Sequence, residues 1–307
     1  VAVMDMGASV IARLKNKAKE TGKPFQLHLQ LFCQEEFLRR LAASRYAENL
    51  VLKGGLFIYT LTNFESRATV DIDFLLQQFP GRIEDIKRMV DEIIAVDSGN
   101  DFITFTSRGF ETISPQRKYT GISFQLVGQI KNTRTPFDVD FGVGDIIIPV
   151  PRKRTIPVQL DGFGAPEVLT YSLESTIAEK FDALLQRLEL TSRMKDIYDI
   201  YYLSSIFDFD GQVLWQAIFE TLQNRGTSYE RDSFDRVIAL AGNKDIQVRW
   251  RQYLRRLKMT ELPLEEVMVC IDRFLRPAWD AILSEGELFM QWDCKTATWH
   301  EEKKSAL

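Results

Sequence analysis

Cysteine and histidine are scarce in this sequence. Its three cysteines, Cys33, Cys270 and Cys294, lie far apart and form no C-x-x-C pair, and its two histidines are His28 and His300. The cysteine spacing does not indicate a zinc or redox site and is typical of a reducing compartment, so we expect a cytoplasmic protein. Two histidines are a poor basis for a catalytic triad or a histidine-ligated metal, which makes the carboxylates the first candidates for chemistry.

Long hydrophobic runs and a signal segment are also missing. The longest apolar runs, such as residues 146–150, fall far short of the roughly 20 residues of a membrane-spanning helix. No basic segment followed by an apolar one opens the chain, so we expect neither a membrane span nor a secretory signal. The apolar fraction of 45% and the charged fraction of 27% are those of an ordinary globular protein, which excludes disorder and a fibrous fold.

The charge balance gives no general attraction to nucleic acid. The net charge is −4, so a nucleic acid would have to be held by local basic clusters. Two are present, one at Arg152-Lys153-Arg154 and one at residues 249–258, where five cations are interleaved with Trp250 and Tyr253. Each is either a solvated face or an RNA-binding surface, and a solvated face is the commoner case.

The apolar pattern divides the chain into three segments. Residues 1–48 predict a helical lead-in, because apolar positions recur near the helical period on both sides of Pro24. Residues 49–165 predict a core of mixed strands and helices, and residues 166–307 predict an α-helical C-terminal lobe. The expected fold class is therefore α+β, with a proline- and glycine-rich crossing at residues 149–166.

Two aspartates in a predicted strand give the first chemical signal. Because side chains alternate along a strand, Asp71 and Asp73 project to one side and Ile72 to the other. Like charges placed together are unfavourable unless a cation lies between them, and hard oxygen ligands suit Mg²⁺, with Mn²⁺ as an alternative. A bare D-x-D is more often a pair of exposed acids, so its context decides.

That context is a glycine pair upstream. Gly54-Gly55 precedes a short predicted helix, and without a Cβ its backbone N–H groups can approach a phosphate closely. Glycine pairs also serve ordinary tight turns, but the order Gly-Gly, helix, D-x-D is far more specific than either part. It predicts a nucleotide-facing turn beside a metal site.

A second acidic strand offers a third carboxylate. Asp138 and Asp140 share one face of the strand predicted at residues 137–141. One such acid beside the D-x-D pair would complete a two-metal site, in which the protein mainly positions the reactants. We choose Asp140 as this third ligand, with Asp138 as the open alternative.

Two helices contain further candidates. Lys180 lies at the margin of an apolar stripe, where its ammonium either reaches a triphosphate or pairs with Glu174 or another acid. Farther along, Arg193 and Lys195 are candidate phosphate contacts. Asp196 is either a first-turn acid favoured by the helix dipole or an acid that orients Lys180 or the acceptor.

These motifs, taken in order, resemble the AbiEii/AbiGii toxin family of nucleotidyltransferase-like proteins. The resemblance covers roughly residues 5–206 and rests on motifs at residues 52–55, 67–73, 139–145, 171–180 and 192–199. It implies a DNA polymerase β-like nucleotidyltransferase core followed by a helical lobe, with the active site in the cleft between them. The glycine turn departs from the wider superfamily, which often has Gly-Ser there, and so lacks a hydroxyl contact to phosphate.

The resemblance also implies residue roles. Gly54 and Gly55 would face the nucleotide, Asp71, Asp73 and Asp140 would bind metal, Lys180 would contact the triphosphate, and Asp196 would be a catalytic acid. Family members are toxins of toxin–antitoxin or phage-defence pairs that transfer a nucleoside monophosphate from an NTP to the acceptor end of tRNA and block translation. The implied partner is an antitoxin encoded nearby that acts on expression or by modification.

Two other functions stay open. The same chemistry could act on a protein hydroxyl or a small molecule, since the motifs do not define the acceptor. Alternatively, the fold could be a catalytically inactive nucleotide-binding module. The complete set of acids favours an enzyme.

Overall fold

The computed structural model describes residues 5–113, 121–186 and 193–301. The chain divides into two compact units, one formed by Val1–Gly144 with Pro151–Tyr171 and the other by Asp145–Val150 with Ser172–Leu307. Within the described ranges, no helix is both long and apolar enough to cross a membrane.

The first unit is built on a seven-stranded mixed sheet. Its strands are β1 (Leu50–Lys53), β2 (Ile72–Leu76), β3 (Ile103–Ile113), β4 (Gly121–Ile130), β5 (Thr133–Val143), β6 (Arg152–Thr155) and β7 (Glu167–Thr170). Their order across the sheet is β3-β4-β5-β2-β1-β7-β6. β1 pairs parallel with β7 and β2 pairs parallel with β5, and the other neighbouring pairs are antiparallel. The mixed sheet expected for the core is confirmed.

Helices of the first unit include α1 (Met6–Thr21), α2 (Phe25–Ala43), α3 (Gly54–Leu61) and α4 (Ile83–Ile94). α1 begins at Asp5, whose carboxylate accepts the Ala8 N–H, and ends at Gly22 in the left-handed conformation that glycine adopts easily. α4 turns an apolar stripe, from Ile86 to Ile93, into the core.

Packing of α2 on the sheet sets which way the acidic strands face. The Phe37 ring of α2 lies 6.2 Å from the Phe74 ring of β2 and 6.5 Å from the Phe137 ring of β5. Since side chains alternate along each strand, Asp73 and Asp140 project from the side of the sheet opposite α2. Burying the aromatic side thus leaves the acidic side available for chemistry.

The second unit is mainly helical. Its helices include α5 (Leu173–Gln186), α6 (Met194–Ile206), α7 (Gly211–Arg225), α8 (Ser233–Ala239), a 3₁₀ turn (Leu240–Gly242), α9 (Lys244–Arg256) and α10 (Leu264–Leu283). It also has a small antiparallel sheet of β8 (Phe209–Asp210), β9 (Met290–Asp293) and β10 (Thr298–Glu301), in the order β10-β9-β8. The helical C-terminal part is confirmed, but this sheet is an addition that helical periodicity did not predict.

The crossing segment Asp145–Val150 packs within the second unit. Asp145 accepts hydrogen bonds from the Arg225 guanidinium at 2.8 and 3.1 Å, and the Ile148 N–H donates to Ser175 Oγ at 2.7 Å. The borders of the two units therefore differ from those of the three segments 1–48, 49–165 and 166–307. That division of the chain into functional segments stays a prediction.

Candidate active site

The D-x-D acids lie at the beginning of β2. Asp71 immediately precedes the strand and Asp73 is its second residue, so only one of the two acids lies within the strand that the sequence predicted for both. Ile72 and Phe74 are fully buried, whereas Asp71 and Asp73 keep partial exposure. This alternation puts both carboxylates on one side of the sheet.

The glycine pair lies directly against Asp73. β1 pairs Lys53 with Asp73, and α3 begins at the next residue, Gly54. Gly54 has a φ of +69°, and a Cβ added there would lie 2.0 Å from Asp73 Oδ2. A Cβ added at Gly55 would lie 2.7 Å from Thr69 Oγ1. The backbone therefore approaches these side chains as closely as only glycine permits.

Asp140 is the third carboxylate on this side of the sheet. The parallel pairing of β2 with β5 sets Asp73 opposite Asp140, and β4 sets Ser123 on the other side of Asp140. Asp140 Oδ1 is buried and accepts no hydrogen bond. Such an oxygen is costly unless a ligand or ion satisfies it.

The electrostatics of Asp140 agree with its crowded position. Burial raises the pKa of Asp140 from 3.8 to about 6, a hydrogen bond from Ser123 opposes the rise, and the charges of Asp73, Asp71 and Asp138 add to it. Hence Asp140 lies in the field of both D-x-D acids. Asp138 belongs to the same cluster, two residues earlier on the same face of β5.

The donor set on the sheet fits a hard divalent cation. Such ions take carboxylate oxygens as ligands, and a buried unsatisfied oxygen among like charges is stabilised by positive charge. The first unit thus combines acidic oxygen ligands with a glycine turn that can approach a phosphate.

Lys180 of the second unit lies between two buried acids. Its ammonium is 3.0 Å from Asp196 Oδ1 and 2.7 Å from Asp199 Oδ2. The side chains of Asp196 and Asp199 are 4% and 2% exposed, and that of Lys180 is 11% exposed. The lysine is therefore fixed by ion pairs and has little freedom to extend along the helix surface.

The motif at the beginning of α6 surrounds this lysine with further charge. Arg193 Nη1 lies 3.3 Å from Asp196 Oδ2, while Lys195 is exposed. Burial raises the pKa of Asp196, but Lys180, and then Arg193 and Lys195, more than offset this, so its pKa lies below the ordinary value. Asp196 is accordingly a charged partner of Lys180. Ser192, the first residue of this motif, lies outside the described residues.

Asp199 is the site residue that sequence reasoning left without a role. It follows Asp196 by three residues, a spacing that puts both carboxylates on one side of α6. That spacing was a usable signal, but the pairing with Lys180 depends on how α5 and α6 pack. Sequence alone does not provide that packing.

A separate acidic group lies near the C-terminal sheet. Ligand atoms of Asp208, Asp293 and Cys294 lie within 4.8 Å of one another. Asp208 accepts the Cys294 backbone N–H at 2.9 Å and is exposed. This hydrogen bond gives the group a structural role in joining the end of β9 to the chain before β8.

Comparison with known proteins identifies the family. The family described as "Nucleotidyl transferase AbiEii toxin, Type IV TA system" matches residues 36–285, which is most of the chain. The chain belongs to this AbiEii family. The match begins later and ends later than the expected resemblance over residues 5–206, so the AbiEii region includes much of the C-terminal helical unit.

Solved structures of other proteins are similar to this chain to different degrees. MenT4, a nucleotidyltransferase toxin from Mycobacterium tuberculosis, is similar with a TM-score of 0.54 and 17% identity, over 90% of this chain and 99% of MenT4. JHP933 from Helicobacter pylori has a TM-score of 0.43 and 13% identity, over 82% of this chain and 91% of its own. No curated protein sequence matches the chain. The MenT4 similarity indicates the fold, and the family match indicates a nucleotidyltransferase toxin of a type IV toxin–antitoxin system.

Proposed function

We propose that this AbiEii-family protein is a Mg²⁺-dependent nucleotidyltransferase that transfers a nucleoside monophosphate from an NTP to the 3′ acceptor end of tRNA. The observation that carries the proposal is the buried, unsatisfied oxygen of Asp140 in the field of Asp73 and Asp71. A cluster of this kind is unfavourable in an apo protein and useful in one that binds a cation with its nucleotide.

Asp71, Asp73 and Asp140 would hold the metal. When bound there, divalent cations would help to deprotonate the attacking hydroxyl and neutralise charge on the triphosphate. Mg²⁺ suits three carboxylates that leave room for phosphate oxygens, and Mn²⁺ is the alternative. Asp138 is the alternative third ligand.

The glycine turn would bind the nucleotide through its backbone. With no Cβ at Gly54 or Gly55, the N–H groups at the beginning of α3 can donate to a phosphate, and the helix dipole favours the negative charge. Because Gly54 also lies directly against the Asp73 carboxylate, the same turn would place the phosphate beside the metal ligands.

Lys180 would contact the triphosphate, and its acidic partners would set its direction. Asp196 and Asp199 hold the ammonium in two ion pairs and limit its rotation. In this role Asp196 is an orienting acid, and Arg193 and Lys195 supply additional positive charge for phosphate.

The acceptor that we propose for this reaction is tRNA. The family resemblance implies tRNA, and the family implies an antitoxin that counteracts the toxin. Addition of a nucleotide to the acceptor end would block aminoacylation and hence translation, which is a sufficient basis for toxicity in a cell without that antitoxin.

A transfer assay tests the proposal. The purified protein and its Asp71→Ala variant are each incubated with total tRNA, Mg²⁺ and one radiolabelled NTP at a time, and the products are separated on a denaturing gel. We expect label on tRNA with the wild type alone. Label on protein, or no transfer with any NTP, would overturn the tRNA assignment.

A further inference from the structure

The helix α9 contains a concentrated positive charge. Arg249, Arg251, Arg255 and Arg256 are all exposed. Within residues 5–113, 121–186 and 193–301, none of these four guanidinium groups forms an ion pair with an acid. Since the whole chain has a net charge of −4, this helix is a local exception to its charge balance.

The four arginines form two different sides of α9. Residues three or four apart share a helix side, so Arg249, Tyr253 and Arg256 lie together and Arg251 and Arg255 lie together. The second pair borders a cavity of about 250 Å³ that Glu261 and Glu265 also line. Glu261 and Glu265 therefore offset the charge of the Arg251 side, whereas the Arg249 side has one acid on the helix itself, Asp245, four residues before Arg249.

The Arg249 side is joined to the motif of α6 through aromatic rings. The Tyr253 ring lies 6.0 Å from Tyr198 of α6, and Tyr198 stacks on Tyr202 at 5.8 Å. Tyr198 and Tyr202 share their helix side with Lys195, three residues before Tyr198. The buried Tyr198 ring therefore packs between Tyr253 of α9 and Tyr202 of α6, which brings the Arg249 side of α9 against the side of α6 that includes Lys195.

Cations interleaved with partly exposed aromatic rings match the chemistry of an RNA strand. Guanidinium groups pair with backbone phosphates, and tyrosine rings stack with unpaired bases. Tyr202 and Tyr253 are both half-buried, and the Tyr253 ring packs against Trp250 and Tyr198. An acidic protein surface would match the same charge, and the proposed transfer to tRNA favours RNA as the occupant.

We propose that Arg249, Tyr253 and Arg256 form a contact surface for the RNA acceptor, binding the phosphate backbone near its single-stranded end. The inference rests on the proposed transfer to tRNA, and it identifies a surface through which the protein would bind that tRNA. It assigns the Arg251 and Arg255 side no part in RNA binding.

The test compares two double variants that remove the same charge from the same helix. Arg249→Gln/Arg256→Gln alters the proposed surface, and Arg251→Gln/Arg255→Gln is the matched control. Glutamine keeps helix propensity close to that of arginine, so both variants are expected to fold. Binding of a 5′-fluorescein-labelled deacylated tRNA is followed by anisotropy over a series of salt concentrations, without NTP or metal.

We expect the Arg249/Arg256 variant to bind tRNA about tenfold more weakly, with its log–log salt slope lowered by about 1.4, since each lost single-strand phosphate contact removes about 0.7. The control should bind as the wild type does. In the transfer assay, the KM for tRNA should rise while the KM for NTP and kcat stay unchanged.

The possible outcomes distinguish a failure of the proposed RNA surface from a failure of the proposed transfer to tRNA. Equal binding by both variants, an equal loss in both, or no tRNA binding by the wild type would overturn the surface. Weaker binding by the Arg249/Arg256 variant alone, in a protein that transfers no nucleotide to tRNA, would support the surface and contradict the proposed function.

Discussion

Gly54 and Asp73 are so close that the chain has no space for a side chain between them. A Cβ at residue 54 would lie 2.0 Å from Asp73 Oδ2, and the backbone there has a φ of +69°. The glycine that begins α3 therefore does two things, since it makes the left-handed turn and it lets Asp73 occupy its position. Any larger residue must displace the carboxylate or the turn.

Gly54→Ala should lower transfer by about 100-fold or more, because a shift of about 1 Å in a metal ligand or phosphate is enough for such a loss. The left-handed conformation should also cost about 1–2 kcal/mol of stability. Steady-state transfer and thermal melting measure the two effects.

The matched control is Gly22→Ala. Gly22 has a φ of +67°, and its added Cβ would meet nothing within 4 Å. It shares the backbone strain without the collision, so we expect a similar stability loss with normal transfer. Loss of transfer in Gly22→Ala as well would show that strain alone explains the result.

Lys180→Ala should destabilise the second unit as well as abolish transfer. It leaves the buried carboxylates of Asp196 and Asp199 without their ammonium partner, and breaking a buried pair in this way costs about 3–5 kcal/mol. Calorimetric melting measures the cost.

Lys180→Arg separates charge from position. It keeps a cation between the two acids and should retain most of the stability, but the planar guanidinium cannot reproduce the ammonium position, so transfer should still fall. Full transfer by Lys180→Arg would contradict the proposed contact with the triphosphate.

Asp140→Asn should stabilise the metal-free protein. The pKa of Asp140 is about 6 in the folded chain, against an ordinary value of 3.8. The folded state therefore disfavours the charged carboxylate, and this charge lowers the stability of the protein. The cost is fully present above about pH 6 and vanishes below about pH 4. We expect a gain of roughly 1 kcal/mol near neutral pH, after allowance for partial exposure, that disappears in acid. Melting curves in EDTA across this pH range test it, and a gain independent of pH would contradict the electrostatic explanation.

Mg²⁺ should stabilise the wild type by about 2.7 kcal/mol when it is present at about 100 times its Kd. The melting temperature of the wild type should therefore rise. Asp140→Ala should lose this response, and Asp138→Ala should keep it. The opposite pattern would assign the third ligand to Asp138. This readout needs no substrate and so does not depend on the acceptor.

The acids could be found from sequence because their pattern is local. The two-residue period places Asp71 and Asp73 on one side of a strand, and the same rule places Asp138 with Asp140. The glycine pair and D-x-D also follow one another closely, so their proximity in the fold needs just one short helix between them.

Other features depend on contacts between distant residues. The pairing of Lys180 with Asp199 needs the packing of α5 on α6, and the sheet of β8, β9 and β10 joins strands about 80 residues apart in sequence. Its strands are two to four residues long, too short for a periodic pattern, and are held by packing such as Phe274 against Trp292 at 5.0 Å. Local periodicity does not encode such pairings.

The most direct test of the central claim uses tRNA with and without its 3′-terminal diol. Periodate oxidation destroys the acceptor hydroxyls and leaves the rest of the molecule intact. The wild type, supplied with Mg²⁺ and the radiolabelled NTP that it prefers, should label untreated tRNA and should not label oxidised tRNA. The Asp73→Ala variant should label neither tRNA. Equal labelling of oxidised and untreated tRNA, or labelling by Asp73→Ala, would contradict transfer to the 3′ end by this carboxylate cluster.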